Sequence, residues 1–514
     1  MKVVSVEEAA AAIPDGATLM ATGFTASAIP EYVLKGIEDH FLAEGSPKNL
    51  TAVWDAALGD GRGAGMDHLA HEGLVKEAIA SHCNLVPHMQ AMIDENKIPA
   101  HILPLGTISQ MVRESGSGRP GVFTKIGLGT FVDPRLAGGK ANDITKEDMV
   151  EVMNIHGEEY LFYKAFPIQA AVIRGTTIDE HGNLTCEHEP CICDMMVVAQ
   201  AVKRSGGVVI AQVESVCEYG SLNPRDIIVP GFMIDYAVVA PKEYHPMTCG
   251  HPEYEPNWGQ EYRIPLSSVP ALPLNERKII ARRAAMELEP DQIVNLGFGM
   301  PEGVASVAAE EGFADKLTLT VECGHIGGVP AGGLNFGACF NSDYVVDMTR
   351  QMDWYDGGAL DCAFLGAAEI DQYGNANVTR FGKTVGPGGF INIAQTAKKV
   401  CYCGTLTAGG LKVAVENGKL IISSEGRTKK YVSDVEQISF SGPTAHKMGQ
   451  EVLYITERAV FRLTEDGPVL TEIAPGIDLK SQVLDQIDFE VKVADDLKEM
   501  DARIFRNEPM GITI

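Results

Sequence analysis

Short apolar runs alternate along the chain with longer stretches in which hydrophobic residues recur every three or four positions, a pattern that predicts a layered α/β fold. Val3 to Ile13 has helical spacing, and Pro14-Asp15-Gly16 turns into a short strand, Ala17 to Ala21, that ends at Gly23-Phe24. A helix is expected from Ile29-Pro30-Glu31, where proline suits the first turn. Asn49 to Val53 reads as the next strand, and the loop Gly59-Asp60-Gly61-Arg62-Gly63 is expected to lead into a helix through His71-Glu72-Gly73-Leu74. Tyr160 to Phe166, Ala170 to Gly175 and Val208 to Val213 are further apolar runs, with a turn at Asp179-Glu180-His181-Gly182-Asn183 between the last two.

The second half repeats this plan in the same order. Pro14-Asp15, Gly23-Phe24 and Pro30-Glu31 are echoed by Pro290-Asp291, Gly297-Phe298 and Pro301-Glu302. Asp179-x-x-Gly182-Asn183 is echoed by Asp371-x-x-Gly374-Asn375, and Ala199-Gln200 by Ala394-Gln395. At 514 residues the chain exceeds one ordinary core, so two related domains of about 250 residues each are expected. The reading divides the chain into 1–265 and 266–514, joined through the proline-punctuated segment Ile264 to Leu274. A ligand cleft between two such domains is the usual arrangement.

Composition narrows the function. With 45% hydrophobic and 22% charged residues the chain has globular values. A formal charge of -27 argues against nucleic acid and against an anionic membrane surface as partners. No apolar run approaches the ~18 residues of a membrane helix, and Met1 to Asp15 lacks the basic start of a secretion signal, so a cytoplasmic protein is expected. Eleven scattered cysteines, an odd number, fit reduced thiols better than a disulfide framework. Cys186-Glu187-His188-Glu189-Pro190-Cys191-Ile192-Cys193 offers ligating side chains, but they are too closely spaced to enclose one ion from a single loop, and no metal is expected.

The chemistry concentrates in residues 317 to 333. Leu317, Leu319 and Val321 alternate with Thr318 and Thr320 as in a half-buried strand, which delivers Glu322 to a glycine-rich turn whose amide hydrogens are uncovered. Lys383-Thr384-Val385-Gly386-Pro387-Gly388-Gly389-Phe390-Ile391-Asn392-Ile393 holds a second glycine cluster, and Asn295-Leu296-Gly297-Phe298-Gly299-Met300-Pro301 joins a strand to a helix, so that its amides and the helix N-terminus suit a phosphate or a pantetheine amide. Gly127 to Pro134 does not fit the dinucleotide pattern, because no Gly-x-Gly-x-x-Gly precedes a helix.

Glu322-Cys323-Gly324-His325-Ile326-Gly327-Gly328 resembles the active-site signature of family I coenzyme A transferases of the acetate/propionate type. The resemblance extends through His71 to Lys76, Gly127 to Pro134, Asp143 to Asp148, Asp356-Gly357-Gly358, Cys403 to Gly410, Tyr454 to Arg458 and Ala474 to Asp478. It implies two related open α/β domains with the active site in the cleft between them. It also implies an enzyme that transfers CoA between short-chain acyl-CoA and carboxylate substrates by a ping-pong route through a glutamyl-CoA thioester on Glu322. Gly388 and Gly389 would supply oxyanion and CoA contacts, and Gly297, Phe298, Gly299 and Met300 would lie along the CoA chain. Lys383, with Arg380 and Lys412, would meet its phosphates.

The same resemblance makes Gly23, Phe24 and Ala28 walls of the acyl pocket. Leu105 stands where relatives carry glutamine, and His325 where they carry a small residue, so both are expected to reshape that pocket. Cys323 points away from Glu322 on an alternating strand and stands where relatives have serine, so it is read as a wall rather than a nucleophile. Coenzyme A is then a substrate, with no tightly bound cofactor and a homo-oligomeric assembly. The alternatives are an acyl-CoA hydrolase on the same fold and a non-catalytic CoA-binding protein.

Overall fold

The computed structural model describes residues 1–251, 253–265 and 272–514. Part of the expected linker, Ile264 to Leu274, lies outside them. The chain forms two compact units: Met1–Arg263 with Val321–Trp354 and Gly382–Asn392, and Ile264–Thr320 with Tyr355–Phe381 and Ile393–Ile514.

In the first unit the apolar runs become parallel strands. Strands β1 (Thr18–Ala21), β2 (Leu50–Trp54), β3 (Ala170–Arg174), β4 (Val208–Val213) and β5 (Tyr236–Val239) lie side by side in the order β5-β4-β3-β1-β2, and the sheet continues beyond β2 through Val75–Ala80 and Ala100–Ile102. Every pairing among them is parallel. β2 and β3 are buried along their whole length, as a sheet covered on both faces requires. The helix Glu31–Glu44 starts after Pro30 and stops at Gly45, with Val33, Leu34 and Ile37 fully buried.

The second unit repeats the topology. Its strands β6 (Ile293–Leu296), β7 (Thr318–Thr320), β8 (Cys362–Leu365), β9 (Lys399–Cys403) and β10 (Glu451–Ile455) take the order β10-β9-β8-β6-β7, again parallel, and Ala459–Thr464 and Gly467–Ile473 extend the sheet antiparallel. The echoed turns match bond for bond. Asp179 accepts from the amides of His181 and Asn183 at 2.9 Å each, and Asp371 does the same for Tyr373 and Asn375. The two asparagines then cap Gly231 and Gly442, each at 3.0 Å. A duplicated α/β plan was the expectation, and the strand order bears it out.

Three expectations need correction. The helix through His71–Leu74 is absent: a 3-10 turn, Gly65–Leu69, is followed by the strand Val75–Ala80. Glu38 draws in both His68 (2.6 Å) and His71 (2.7 Å), Gly73 takes a positive φ of 90°, and the Gly73 and Leu74 carbonyls accept from Asn49 and Leu50. These bonds feed the chain straight into the sheet. The Leu317–Val321 alternation does not mark a half-exposed strand either. Thr320 is as buried as Leu319, because its hydroxyl donates to the Val294 carbonyl and accepts from the Tyr355 hydroxyl.

The third correction concerns the division at 265/266. The first break does fall near there, but Val321–Trp354 and Gly382–Asn392 count with the first unit. The Met348 amide donates to the Cys193 carbonyl at 2.9 Å, Ser109 and Thr349 share a hydroxyl hydrogen bond at 2.7 Å, and Gln110 donates to Asp353 at 3.1 Å. No local periodicity announces such pairings.

At the end of β3 the Arg174 guanidinium meets Glu189 at 2.9 Å, both side chains being almost fully buried, and His245 lies 3.0 Å from the same carboxylate. Burial opposes ionisation of Glu189, but Arg174 and His245 outweigh it and hold its pKa down to about 2. The folded value lies below the unfolded one of about 4.3. The stabilisation is therefore complete above pH 4.3 and is lost as pH falls toward 2. Glu189→Gln strands the buried guanidinium and is expected to cost about 3–5 kcal/mol at pH 7. Urea unfolding of the two proteins should show that difference shrinking below pH 4; a constant difference down to pH 2.5 would contradict the assignment.

Candidate active site

Glu322 follows β7 after one intervening residue and sits in a tight turn, with a relative exposure of 9%. A strand end held by sheet hydrogen bonds and followed by a glycine turn fixes the carboxylate without a long lever arm. The second glycine cluster lies directly against it. A Cβ placed on Gly389 would stand 2.9 Å from Glu322 Cγ and 3.3 Å from Oε1, with Met352 Cε also at 3.3 Å. The absence of a side chain at 389 is thus what lets backbone approach the carboxylate.

The loop is held from both sides. The Gly388 amide donates to the Ser81 carbonyl at 3.1 Å, its carbonyl accepts from the Leu105 amide at 2.9 Å, and the Cys83 amide donates to Val385 O at 2.7 Å. The Gly106 amide donates to Asn392 Oδ1 at 3.2 Å. Gly388 itself has φ +53°, a conformation that a side chain would strain. Of the two glycines expected to face an oxyanion, Gly388 spends its N–H on Ser81. The Gly389 N–H meets no acceptor among the described residues and precedes the helix Phe390–Thr396.

Of the expected acyl-pocket residues, Phe24 reaches the turn that Cys323 also binds, while Gly23 and Ala28 have other neighbours. Thr25 and Ser27 hydroxyls donate to the Phe336 carbonyl at 2.7 and 3.0 Å, and the Phe24 ring packs on Phe336 with centroids 5.7 Å apart. Cys323, beside Glu322, donates its thiol to the Gly337 carbonyl at 3.4 Å, so both segments share the turn at 336–337. Gly23 is packed against Leu58, and the Ala28 amide donates to Met247 O at 3.0 Å. Leu105 is buried at the start of the helix Leu105–Gly116, where its backbone amide binds the glycine loop.

Burial, and then Cys191, hold the Cys323 thiol well above its ordinary range. A thiol so raised stays protonated at neutral pH and is a poor nucleophile. His325 is buried with both ring nitrogens engaged, by Ser342 Oγ at 2.8 Å and the Pro190 carbonyl at 2.6 Å, and burial lowers its pKa. It ties the Glu322 turn to the 190s loop.

Set beside known proteins, this arrangement has full-length counterparts. The family model described as Coenzyme A transferase matches residues 3–240 and 277–481. The chain belongs to the coenzyme A transferase family. It is 46% identical over 520 residues to the caffeate CoA-transferase of Acetobacterium woodii, covering 99% of this chain and 98% of that one. It is 42% identical over 514 residues to the acetate CoA-transferase YdiF of Escherichia coli K12, covering 100% and 96%. The solved thioester complex of the E. coli O157:H7 acyl-CoA transferase YdiF with CoA matches it with a TM-score of 0.95 at 41% identity, over 100% of this chain and 97% of that chain. The protein is thus a CoA-transferase, with coenzyme A as a substrate.

The remaining loop of this CoA-transferase lies in the second unit, at the carboxyl end of β6. There the sheet order reverses, because β7 lies on one side of β6 and β8 on the other, and such a switch point is where open α/β sheets receive ligands. Two of its amides are already used: Gly297 donates to Phe364 O at 2.8 Å and Gly299 to Glu302 Oε1 at 2.9 Å. Arg277 in turn bonds the Gly299 carbonyl at 2.8 Å and Glu302 at 2.9 Å. Those two amides therefore already have acceptors within the loop. What the loop presents instead is the Phe298 ring, 61% exposed, just before the 3-10 turn Met300–Glu302 and the helix Gly303–Glu310. Lys383 is exposed on the first unit's glycine loop and has no ion-pair partner among the described residues.

Several groups around Glu322 and the glycine loop were not legible in the sequence. Met352 reaches them from an element that carries no motif. Ser81 and His82 hold the glycine loop from the end of a strand that reads only as an apolar run. Burial lowers the His82 pKa to about 4, so its ring is neutral at pH 7. Ser81 donates its hydroxyl to the Asp55 carbonyl, and burial together with the neighbouring Asp194 holds the Asp55 carboxyl well above the usual carboxylate range. Serine at a strand end is a weak signal, and only the tertiary contact gives it meaning.

Proposed function

We propose that this CoA-transferase moves CoA between short-chain acyl-CoA and carboxylate substrates by a ping-pong route through Glu322. The Glu322 carboxylate attacks the thioester carbonyl carbon, and the tetrahedral oxyanion expels CoA thiolate to leave an acyl-glutamyl anhydride. The thiolate then attacks the glutamyl carbonyl, releases the first acid as its carboxylate and forms a glutamyl-CoA thioester. An acceptor carboxylate runs the same steps in reverse. The observation that carries the reading is Glu322 Oε1 against Gly389, whose N–H, with no acceptor among the described residues, would donate to the oxyanion beside a buried carboxylate. Both covalent intermediates hydrolyse if water enters, so burial of the carboxylate favours transfer over an acyl-CoA hydrolase.

The two full-length relatives act, by name, on caffeate and on acetate, and the buried apolar Leu105 beside the glycine loop favours an acid with an apolar body over acetate in this chain. The test is to mix the protein with acyl-CoA and no acceptor. A borohydride-sensitive adduct of the mass of CoA is expected on the peptide bearing Glu322. An unmodified Glu322 peptide, or thiol release that needs no added acid, overturns the reading.

A further inference from the structure

The transfer chemistry gives no role to the helix Pro87–Asp94, yet two of its side chains reach the glycine loop beside Glu322. Gln90 Nε2 donates to the Thr384 carbonyl, and the Thr384 amide donates to Asp94, at 3.1 Å to Oδ1 and 3.3 Å to Oδ2. These partners lie 294 and 290 residues apart along the chain, so the bonds come from the fold and not from local turn chemistry. The helix is itself tied down at its start. Asp67 Oδ1 accepts from the Met89 amide at 2.9 Å, and the Val86 amide donates to the Cys83 carbonyl at 3.0 Å. Gln90 and Thr384 are both buried, although glutamine is mostly a surface residue.

A glycine loop has few side chains to pack, so hydrogen bonds to its peptide planes decide its path. Asp94 holds the plane between Lys383 and Thr384, and Gln90 holds the next one, which together fix both torsions of Thr384. Further on, the Cys83 amide holds Val385 O at 2.7 Å, and the Ser81 carbonyl holds the Gly388 amide at 3.1 Å. The Gly388 carbonyl, bound by the Leu105 amide at 2.9 Å, belongs to the same plane as the Gly389 N–H. Backbone groups supply these later bonds, whereas side chains supply the first two. A Cβ on Gly386 would stand 2.2 Å from Ser81 O, so the loop already lies on the backbone of 81 and cannot settle closer. Released at Thr384, its first planes are free to lift away.

We propose that Gln90 and Asp94 are positioning residues for CoA transfer, which clamp Thr384 by its carbonyl and its amide and so hold the Gly389 backbone against Glu322. The inference rests on the role proposed above for Glu322 and the glycine loop. Its effect passes through the loop backbone, where displacement of a reacting group on the scale of 1 Å costs about 100-fold in rate. What Asp94 contributes is an acceptor oxygen, and an asparagine Oδ1 can take the same amide. Gln90 must instead donate, and a carboxylate in its place has no hydrogen to give the Thr384 carbonyl.

The test is steady-state transfer by the full-length protein, read with melting temperatures, in Gln90→Leu, Gln90→Glu, Asp94→Ala and Asp94→Asn. Gln90→Leu and Asp94→Ala are expected to lower kcat by about 10- to 100-fold, with little change in KM for the acceptor acid and melting temperatures near wild type. Asp94→Asn should keep most of the activity. Gln90→Glu should be as slow as Gln90→Leu at pH 8 and recover relative to wild type as pH falls toward 5.5, because burial and Asp94 one turn away raise the new carboxyl until it protonates and donates. The ratio of Gln90→Leu to wild type should not change with pH. Wild-type turnover in Gln90→Leu and Asp94→Ala overturns the clamp, as does equal loss in Asp94→Asn and Asp94→Ala, or a Gln90→Glu ratio that ignores pH. Loss of kcat only in step with an early melting transition also overturns it, by assigning a packing role. Acyl-CoA given alone to the same proteins keeps the two readings apart. A wild type without a CoA adduct on Glu322 removes the nucleophile while turnover still reads the clamp, and an adduct formed as fast in Gln90→Leu as in wild type removes the clamp.

Discussion

Glu322→Gln is expected to lower kcat for CoA transfer on the order of 10⁴-fold or more, the scale seen when a covalent nucleophile is removed. The substitution keeps the shape of the side chain, which is buried with the Gly389 backbone close against it. The melting temperature and the Kd for CoA should therefore stay near the wild-type values. Steady-state rates with a donor acyl-CoA and an acceptor acid, read alongside CoA binding by calorimetry, separate a lost nucleophile from a damaged fold. Retention of more than a few per cent of wild-type turnover would exclude Glu322 as the acylated group.

Gly389→Ala tests the other half of the arrangement. Its backbone is in a conformation open to any residue, so alanine brings no torsional strain. The new methyl would instead meet Glu322 Cγ at 2.9 Å, a separation that real Cβ atoms do not tolerate, and would press on Oε1 and Met352 Cε at 3.3 Å. The carboxylate must move by a few tenths of an ångström or more, and displacement of a reacting group on the scale of 1 Å costs about 100-fold in rate. Turnover is expected to fall by that amount, with a melting temperature close to wild type. A variant that melts far earlier would point to a packing role, and one with full activity would remove the backbone at 389 from the mechanism.

The strands could be read from the chain because a parallel sheet covered on both faces needs continuous apolar runs. Ala170 to Gly175 and Val208 to Val213 were placed almost to the residue. The duplication was legible because each turn of the Asp-x-x-Gly-Asn kind needs its aspartate and asparagine at fixed offsets, so repeats of the motif in one order mark repeats of the fold. Helix against strand at His71–Leu74 was not legible, since the outcome rests on Glu38, more than thirty residues earlier, binding two histidines at once.

The sequence by itself determined the α/β class, the repeated half and the glutamate set before a glycine turn, because these depend on neighbours a few positions apart. Tertiary structure alone decided that Val321–Trp354 and Gly382–Asn392 pack with the first unit, that the Gly389 amide rather than that of Gly388 meets no acceptor among the described residues, and that Ser81 and Met352 lie against the glycine loop. Those outcomes come from contacts between segments tens to hundreds of residues apart, and spacing along a chain carries no signal for partners brought together only by the closing of the fold.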